Sequence, residues 1–447
     1  MKIKMLLIGL LCVSSLLGFC ATSYALMEYE EVYQSNVGFK KVVIVTRRYL
    51  YDAIQSSLAQ YVKDLEREYY HVTLVAMRRG TPHELKDYLK TFRNLKGALF
   101  IGNIPSVLFK MESIGQEGDA LLASEGLDKY PTDLFYADLD GAWQDTDGDG
   151  IYDLHAGSAG PEIWIGRLAA QTLRDPTMDE AALLRDYFQR NHAYRIMPRL
   201  FYVPRAFAFM DWDGLMHQVG VADDSAANTL FQVAATMMQQ MLPMYPLMRT
   251  WFLGEAYPLT TDIEHSNTSL AKLKSKLQSG YEWVYVLAHG RPDKQSVFKD
   301  GVAEVFTAPS LRANGNNAKF FTLGSCLVGR FTADDYIGGA YIFGSHTKGL
   351  AALAFTRVSQ IQMPALFYMR IGRLHKDSIG DAFRLWIATV ENLIELIPEP
   401  IMKLLNTLLN LGVNAMDVDR GYMTLQGSIL NSKRGLVILG DPTLTIW

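Results

Sequence analysis

Short apolar runs recur along this chain, separated by stretches whose apolar positions return every three or four residues. The runs at 41–46, 72–77, 97–102 and 161–166 form a first set, and those at 205–210, 282–290, 319–326, 349–355 and 435–440 a second. A run that is apolar at every position, rather than at alternate ones, predicts a strand buried on both faces, as in a parallel sheet. The stretches between them read as amphipathic helices. These fall at about 50–69, 81–95 (entered through Thr81-Pro82), 179–195, the alanine- and methionine-rich 226–241, and a block at about 364–411. Strand–helix alternation predicts an α/β fold, three layers deep, with helices on both faces of mostly parallel sheet. Residues 103–160 interrupt the alternation as a loop-rich excursion, and it restarts near residue 201. The predicted organisation is therefore an N-terminal α/β unit over 26–200 and a C-terminal one over 201–447.

The first 25 residues stand outside that pattern. A basic start, an apolar stretch through Val13 and the small residues of Ser23-Tyr-Ala25 read as a signal peptide cleaved after Ala25, and predict a secreted or periplasmic protein. Cys12 and Cys20 leave with it, so the mature chain keeps Cys326 alone and has no intramolecular disulfide. No later span reads as transmembrane. Leu393 to Leu411 is the most apolar, but it carries Glu395, Pro398, Glu399, Pro400 and Lys403 and reads as two amphipathic helices joined at Pro-Glu-Pro. A formal net charge of −4 over 447 residues gives no electrostatic case for nucleic acid or an anionic membrane.

Two of the apolar runs end in reactive side chains: one in His289-Gly290, the other in Gly-Ser-Cys326. Open α/β sheets place their ligands at the carboxyl ends of strands. Adjacent strands would bring thiol and imidazole to one such edge, where an imidazolium stabilises the thiolate that acts as nucleophile. An unpaired cysteine on a buried strand is by itself an inert small hydrophobe; its pairing with a histidine at an equivalent strand end changes the reading. Among the other histidines, His346 is the one rival base, and it precedes a strand, which predicts the opposite edge of the sheet.

The excursion carries Asp145-Thr-Asp147-Gly-Asp149-Gly150, with Asp153 three positions on. This spacing suits a calcium loop: alternate carboxylates converge and glycine permits the turn between them. Position twelve is Ala156 rather than a bidentate glutamate, so the expectation is an isolated structural calcium site, with Asp138, Asp140 or Glu162 completing the shell. A solvated acidic turn is the alternative.

Taken in order, these pieces resemble the gingipain-type cysteine peptidases of the caspase-like superfamily. The matching segments are Phe135-Tyr-Ala-Asp-Leu-Asp-Gly141, the aspartate loop, Pro161-Glu-Ile-Trp-Ile-Gly-Arg167, Leu287-Ala-His-Gly290, Leu323-Gly-Ser-Cys326 and Gly440-Asp-Pro-Thr-Leu444. The resemblance implies a caspase-like fold and a protein or peptide substrate. It implies Cys326 as nucleophile, His289 as general base and acid, and Asp211 at a strand end as the group that orients the histidine. Gly290 would supply a backbone N–H to an oxyanion hole beside the amide of Cys326. Arginine-specific members use an aspartate at the start of the helix after that loop, which Asp223 and Asp224 match. The resemblance runs from about Lys41 to Trp447, so the expectation is a departure from the family pattern, without its large propeptide or its immunoglobulin-like module. Two further readings stand beside a secreted endopeptidase. One is a non-catalytic, calcium-stabilised binding relative; the other is a transpeptidase or ligase in which an amine resolves the same thioester.

Overall fold

The structure, a computed structural model, describes residues 27–111, 116–156, 160–198, 204–211, 259–262, 268–359, 365–372, 375–395 and 433–446. The expected helix at 226–241, most of the block beyond Glu395, and both Asp223 and Asp224 lie outside these residues.

The strands in chain order are β1 (Glu28–Gln34), β2 (Lys40–Arg47), β3 (Tyr70–Arg79), β4 (Leu95–Ile101), β5 (Val107–Lys110), β6 (Lys129–Thr132), β7 (Ala142–Gln144), β8 (Leu154–Ala156) and β9 (Trp164–Leu168). There follow β10 (Ala206–Met210), β11 (Leu259–Asp262), β12 (Trp283–Leu287), β13 (His289–Arg291), β14 (Lys294–Lys299), β15 (Val302–Thr307), β16 (Phe320–Leu323), β17 (Ala351–Phe355) and β18 (Leu436–Gly440). Each continuously apolar run became a strand of one sheet, ordered β1-β3-β2-β4-β9-β18-β17-β16-β12-β10-β11. The strands of both expected halves thus join a single sheet. The mixed α/β architecture is the expected one, with helices such as Arg48–Arg67 and Glu180–Arg195 packed on the sheet.

The sheet reverses once inside its core. β3, β2, β4, β9 and β18 run parallel, as do β17, β16, β12, β10 and β11, while β17 and β18 pair antiparallel. The two parallel blocks therefore present their carboxyl ends at opposite edges. The last strand of the chain fills the seam, and its sequence, Leu-Val-Ile-Leu-Gly, is fully buried. Antiparallel β1 was not anticipated: it covers the β3 edge with a mostly polar, exposed segment. The helix expected over 81–95 ends at Lys90 instead, and Asn94 takes a left-handed φ of 59° before β4 begins.

The Asp441-Pro-Thr turn after β18 is held by a buried polar knot. The Asp441 carboxylate accepts from Asn191 (2.8 Å), Arg195 (2.7 Å) and the main-chain N–H of Thr443 (2.9 Å). Burial acts to raise the Asp441 pKa, but the Arg195 guanidinium and these hydrogen bonds outweigh it and hold the carboxyl below its ordinary range. A carboxylate depressed in the folded state adds stability that is complete above its unfolded pKa of about 3.9 and drains away as pH falls through the folded value. Asp441→Asn should lower the stability at neutral pH by about 3–5 kcal/mol, as breaking a buried ion pair does. Urea unfolding should show that gap persisting down to about pH 4 and narrowing below it.

Candidate active site

Parallel pairing of β12 with β16 sets the geometry. Its last aligned pair is Val286 and Leu323, and the Gly324 N–H donates to the Val286 carbonyl at 2.7 Å. His289 and Cys326 each lie three positions past that pair, so the shared register delivers both to one sheet edge. On the other side of β12, β10 pairs Met210 with Leu287, and the Asp211 N–H donates to the Leu287 carbonyl at 2.8 Å. Asp211, His289 and Cys326 thus leave three neighbouring strand ends in that order, with histidine in the middle.

Close contact follows from the backbone. A Cβ added to Gly290 would fall 2.5 Å from the Cys326 carbonyl oxygen and 2.8 Å from the Ser325 Cβ. Glycine is required because the His289–Gly290 segment lies directly against the Ser325–Cys326 segment. Asp211 is fully buried, and its carboxylate accepts the Phe298 N–H at 2.9 Å. The Phe298 ring meets the His289 ring edge-on at 5.8 Å. Cys326 itself is half-buried, and the next residue, Leu327, adopts a left-handed φ of 64°. That conformation costs a non-glycine residue on the order of 1–2 kcal/mol. It is held by a hydrogen bond from the Leu327 N–H to the Arg357 carbonyl (2.9 Å) and by burial of the leucine against Leu122 and Leu127. Cys326 itself packs against the same apolar cluster.

Sequence reading missed three supports of this corner. The short sheet β13-β14-β15 carries His289 and Gly290 on its first strand, where they align with Ser296 and Gln295. Gln295 is fully buried; its amide donates to the Ser325 hydroxyl (2.8 Å) and accepts from the Tyr341 hydroxyl (2.6 Å). Lastly, the excursion after β4 reaches the site: Glu125 pairs with Arg291, and the Gly126 carbonyl accepts from Arg330 at 3.0 Å. Alternation in Lys294–Lys299 hints at a strand, but a glutamine at a core position carries no hydrophobic signal.

His346 lies elsewhere. Its carbonyl accepts the Asn316 N–H at 2.9 Å, ahead of the first residues of β16 and β17, at the amino edge that the sequence predicts. The acidic loop is also remote in role. The carboxylates of Asp145, Asp147 and Asp149 converge to within 4.8 Å of one another, a hard-oxygen donor set that fits calcium. Asp145 also accepts the N–H groups of Gly148 (2.7 Å) and Gly150 (2.7 Å), and Asp153 accepts from Thr146. The Lys110 ammonium sits among them, bonded to Asp147 and 3.1 Å from Asp149, and it holds the Asp147 carboxyl below its usual range. Asp138, Asp140 and Glu162 do not join this loop but form a separate group. Within it Asp138 is fully buried, accepts the Gly141 N–H (2.7 Å) and bonds the His155 ring (2.5 Å), which ties the Phe135–Gly141 segment together.

Adjacent parallel strands of a mixed sheet thus lead to a histidine and a cysteine at equivalent positions past one edge, a placement that suits a cysteine-type hydrolase. The model of Peptidase family C25 matches residues 22–447, and the chain belongs to that family of cysteine peptidases. Similar solved structures include one described as a protease (TM-score 0.53, 12% identity, covering 91% of this chain and 78% of that one). The Arg-specific cysteine proteinase gingipain R is similar at TM-score 0.50 and 12% identity, with 91% and 78% covered. The complex of the pro- and mature domains of RgpB from Porphyromonas gingivalis is similar at TM-score 0.50 and 13% identity, with 91% and 79% covered. No curated protein matches. Among the described residues no helix is long and apolar enough to cross a membrane.

Gly290→Ala tests the corner directly. The added methyl must displace the Cys326 main chain or its own strand, and an error of about 1 Å in such a site costs on the order of 10²-fold in rate. kcat/KM should fall by about that factor, while circular dichroism stays that of the parent and the melting temperature drops by the few degrees expected of about 1–3 kcal/mol of overpacking.

Proposed function

We propose that this chain is a secreted cysteine endopeptidase in which Cys326 is the nucleophile, His289 the general base and acid, and Asp211 the residue that orients the imidazole. The observation that carries this reading is the common register of β12 and β16, which puts His289 and Cys326 at equivalent positions on one edge. His289 takes the thiol proton, and the thiolate attacks the scissile carbonyl carbon. The oxyanion that forms is met by the main-chain N–H groups of Gly290 and Cys326, donors that act on charge present only in the transition state. The C–N bond breaks as the imidazolium gives its proton to the leaving amine, leaving a thioester on Sγ. His289 then removes a proton from water, the hydroxide oxygen attacks the thioester carbonyl, and the carboxylic product leaves as Sγ regains the proton. Buried Asp211, one strand beyond His289, suits a carboxylate that steadies the imidazolium without itself being protonated.

Cys326→Ala should abolish turnover with the fold intact. His289→Ala should lose activity to a similar degree, since residues that act as a unit are not additive. Asp211→Asn should lose about 10²–10⁴-fold in kcat, by analogy with other triads. Hydrolysis of a peptide library by purified variants checks all three; residual full activity in the Cys326 variant overturns the assignment. Cleavage of a signal peptide after Ala25 is checked by the N-terminal sequence of exported protein.

The aspartate loop supports a structural calcium ion, held by Asp145, Asp147 and Asp149 with Asp153 close by. Its ammonium neighbour Lys110 occupies the same acidic environment, so metal binding requires that side chain to move aside. Adding a chelator should lower the melting temperature, and Lys110→Met should tighten calcium binding measured by calorimetry. A melt indifferent to chelator, together with no heat of binding, leaves the loop as a lysine-bridged acidic turn. Asp223 and Asp224 support a basic-residue preference only through their match to arginine-specific relatives. Asp223→Asn and Asp224→Asn should then shift cleavage away from arginine.

A further inference from the structure

Another side chain touches the sulfur. Ser359 lies four positions beyond the end of β17, and β17 pairs in parallel with β16, aligning Ala354 with Leu323. The hydrogen bond from the Leu327 N–H to the Arg357 carbonyl (2.9 Å) fixes the chain just before Ser359 alongside the turn that follows Cys326. Among the described residues, the polar contacts of the thiol are those made by this serine. Its main-chain N–H donates to Sγ at 3.3 Å, and its hydroxyl oxygen lies 3.5 Å from Sγ. That hydroxyl also donates to the Gly324 carbonyl at 2.9 Å, and the Ser359 carbonyl oxygen is 3.9 Å from the sulfur.

We propose that Ser359 sets the ionisation of the nucleophile: its N–H is a fixed donor to the thiolate, and its hydroxyl reverses direction when the thiol loses its proton. This inference rests on the reading of Cys326 as the nucleophile. A hydroxyl has one hydrogen and two lone pairs. With the thiol neutral, that hydrogen sits on the Gly324 carbonyl, and the S–H points to the serine oxygen or to the more distant Ser359 carbonyl. When the proton passes to the His289 imidazole, sulfur becomes an acceptor only. The N–H is already aimed at it. A hydrogen bond to an ion is roughly twice as strong as one between neutral groups, so the hydroxyl gains by turning from Gly324 to Sγ. The Ser359 carbonyl opposes the charge, but at 3.9 Å it lies farther away than either donor. Once the sulfur is acylated it carries no charge and accepts weakly, and the hydroxyl returns to Gly324. No atom is gained or lost in either turn; one proton moves from sulfur to imidazole and one O–H rotates.

The test is the rate of iodoacetamide alkylation at Cys326 from about pH 4 to about pH 10, read by intact mass and peptide mapping. The proteins are the parent, Ser359→Ala, Ser359→Thr and His289→Ala, with kcat/KM followed over the same range. Ser359→Ala keeps the N–H and loses the hydroxyl. Its low-pH limb should move up by about one pH unit, a roughly tenfold slower reaction below neutrality, and meet the parent curve above about pH 9. Ser359→Thr should restore the parent profile. The proposal is overturned if the alanine profile overlays the parent, or if it drops by one constant factor at every pH, as a packing defect would. If alanine compromises folding, the isosteric pair Ser359→Thr and Ser359→Val repeats the comparison with side-chain size held constant. A parent protein that labels like a free thiol of pKa about 8.5, unaltered by His289→Ala, overturns the nucleophile reading and this one with it. Fast, imidazole-dependent labelling that is indifferent to Ser359 overturns only the role of the serine.

Discussion

The parallel register between β12 and β16 is the constraint on which the site depends. A one-residue slip would turn every side chain of one strand to the other face and separate His289 from Cys326. Such a slip is blocked from both sides. Trp283, Val284 and Val286 of β12, and Phe320, Phe321 and Leu323 of β16, are buried in one core cluster, where side chains of unequal size packed closely on both faces resist the shift. The Trp283 indole N–H also donates to the Thr322 hydroxyl across the two strands at 3.0 Å. The chemistry at the edge therefore inherits its precision from packing several residues below it.

The reversal at β17 and β18 has a functional consequence. With the two parallel blocks opposed, the amino ends of the first block lie on the same edge as the carboxyl ends of the second. Chain from the first half therefore meets the site's edge where it approaches the amino ends of its own strands, and the excursion between β4 and β9 does so. Thr132 bonds the Arg434 carbonyl (2.5 Å), Thr356 bonds the Pro131 carbonyl (2.7 Å), and Leu122 and Leu127 close on Leu327. What reads in sequence as an irregular insertion is thus one wall of the candidate catalytic edge. The C-terminal strand in the seam, anchored through Asp441 to Arg195 and Asn191, makes the two halves one structural unit.

Much of this was legible in the chain because parallel strands buried on both faces leave an unambiguous mark: apolar residues without alternation. The same mark has no direction, so the antiparallel setting of β18 could not be read from Leu-Val-Ile-Leu-Gly. Segments that bury little were also silent. β1, with Glu28, Glu30 and Glu31 exposed, is held by its main chain and by surface contacts such as Arg48–Glu30 and Tyr88–Glu31, and it buries too little to show a core-facing pattern. His289, Gly290, Cys326 and Asp211 stood out as chemically distinctive residues at the ends of legible strands. The residues that support them did not. Gln295 and Ser325 are polar groups whose burial depends on each other, and neither has a meaning until the strands that carry them meet.

Ser359 belongs to that second kind. Serine in a loop carries no signal, and its proximity to Cys326 is created by the pairing of β16 with β17 and by the left-handed turn at Leu327. The same turn gives the serine its chemical weight. The Leu327 N–H donates to the Arg357 carbonyl, which holds the main chain of residues 357–359 against Cys326. Cys326 also packs on the apolar cluster of Leu122, Leu127 and Leu327, a setting that disfavours charge. Under the proposed role, the N–H and hydroxyl of Ser359 are the donors that oppose that penalty. The conformational cost at Leu327 and the hydrogen bonds at Ser359 are thus two sides of one arrangement.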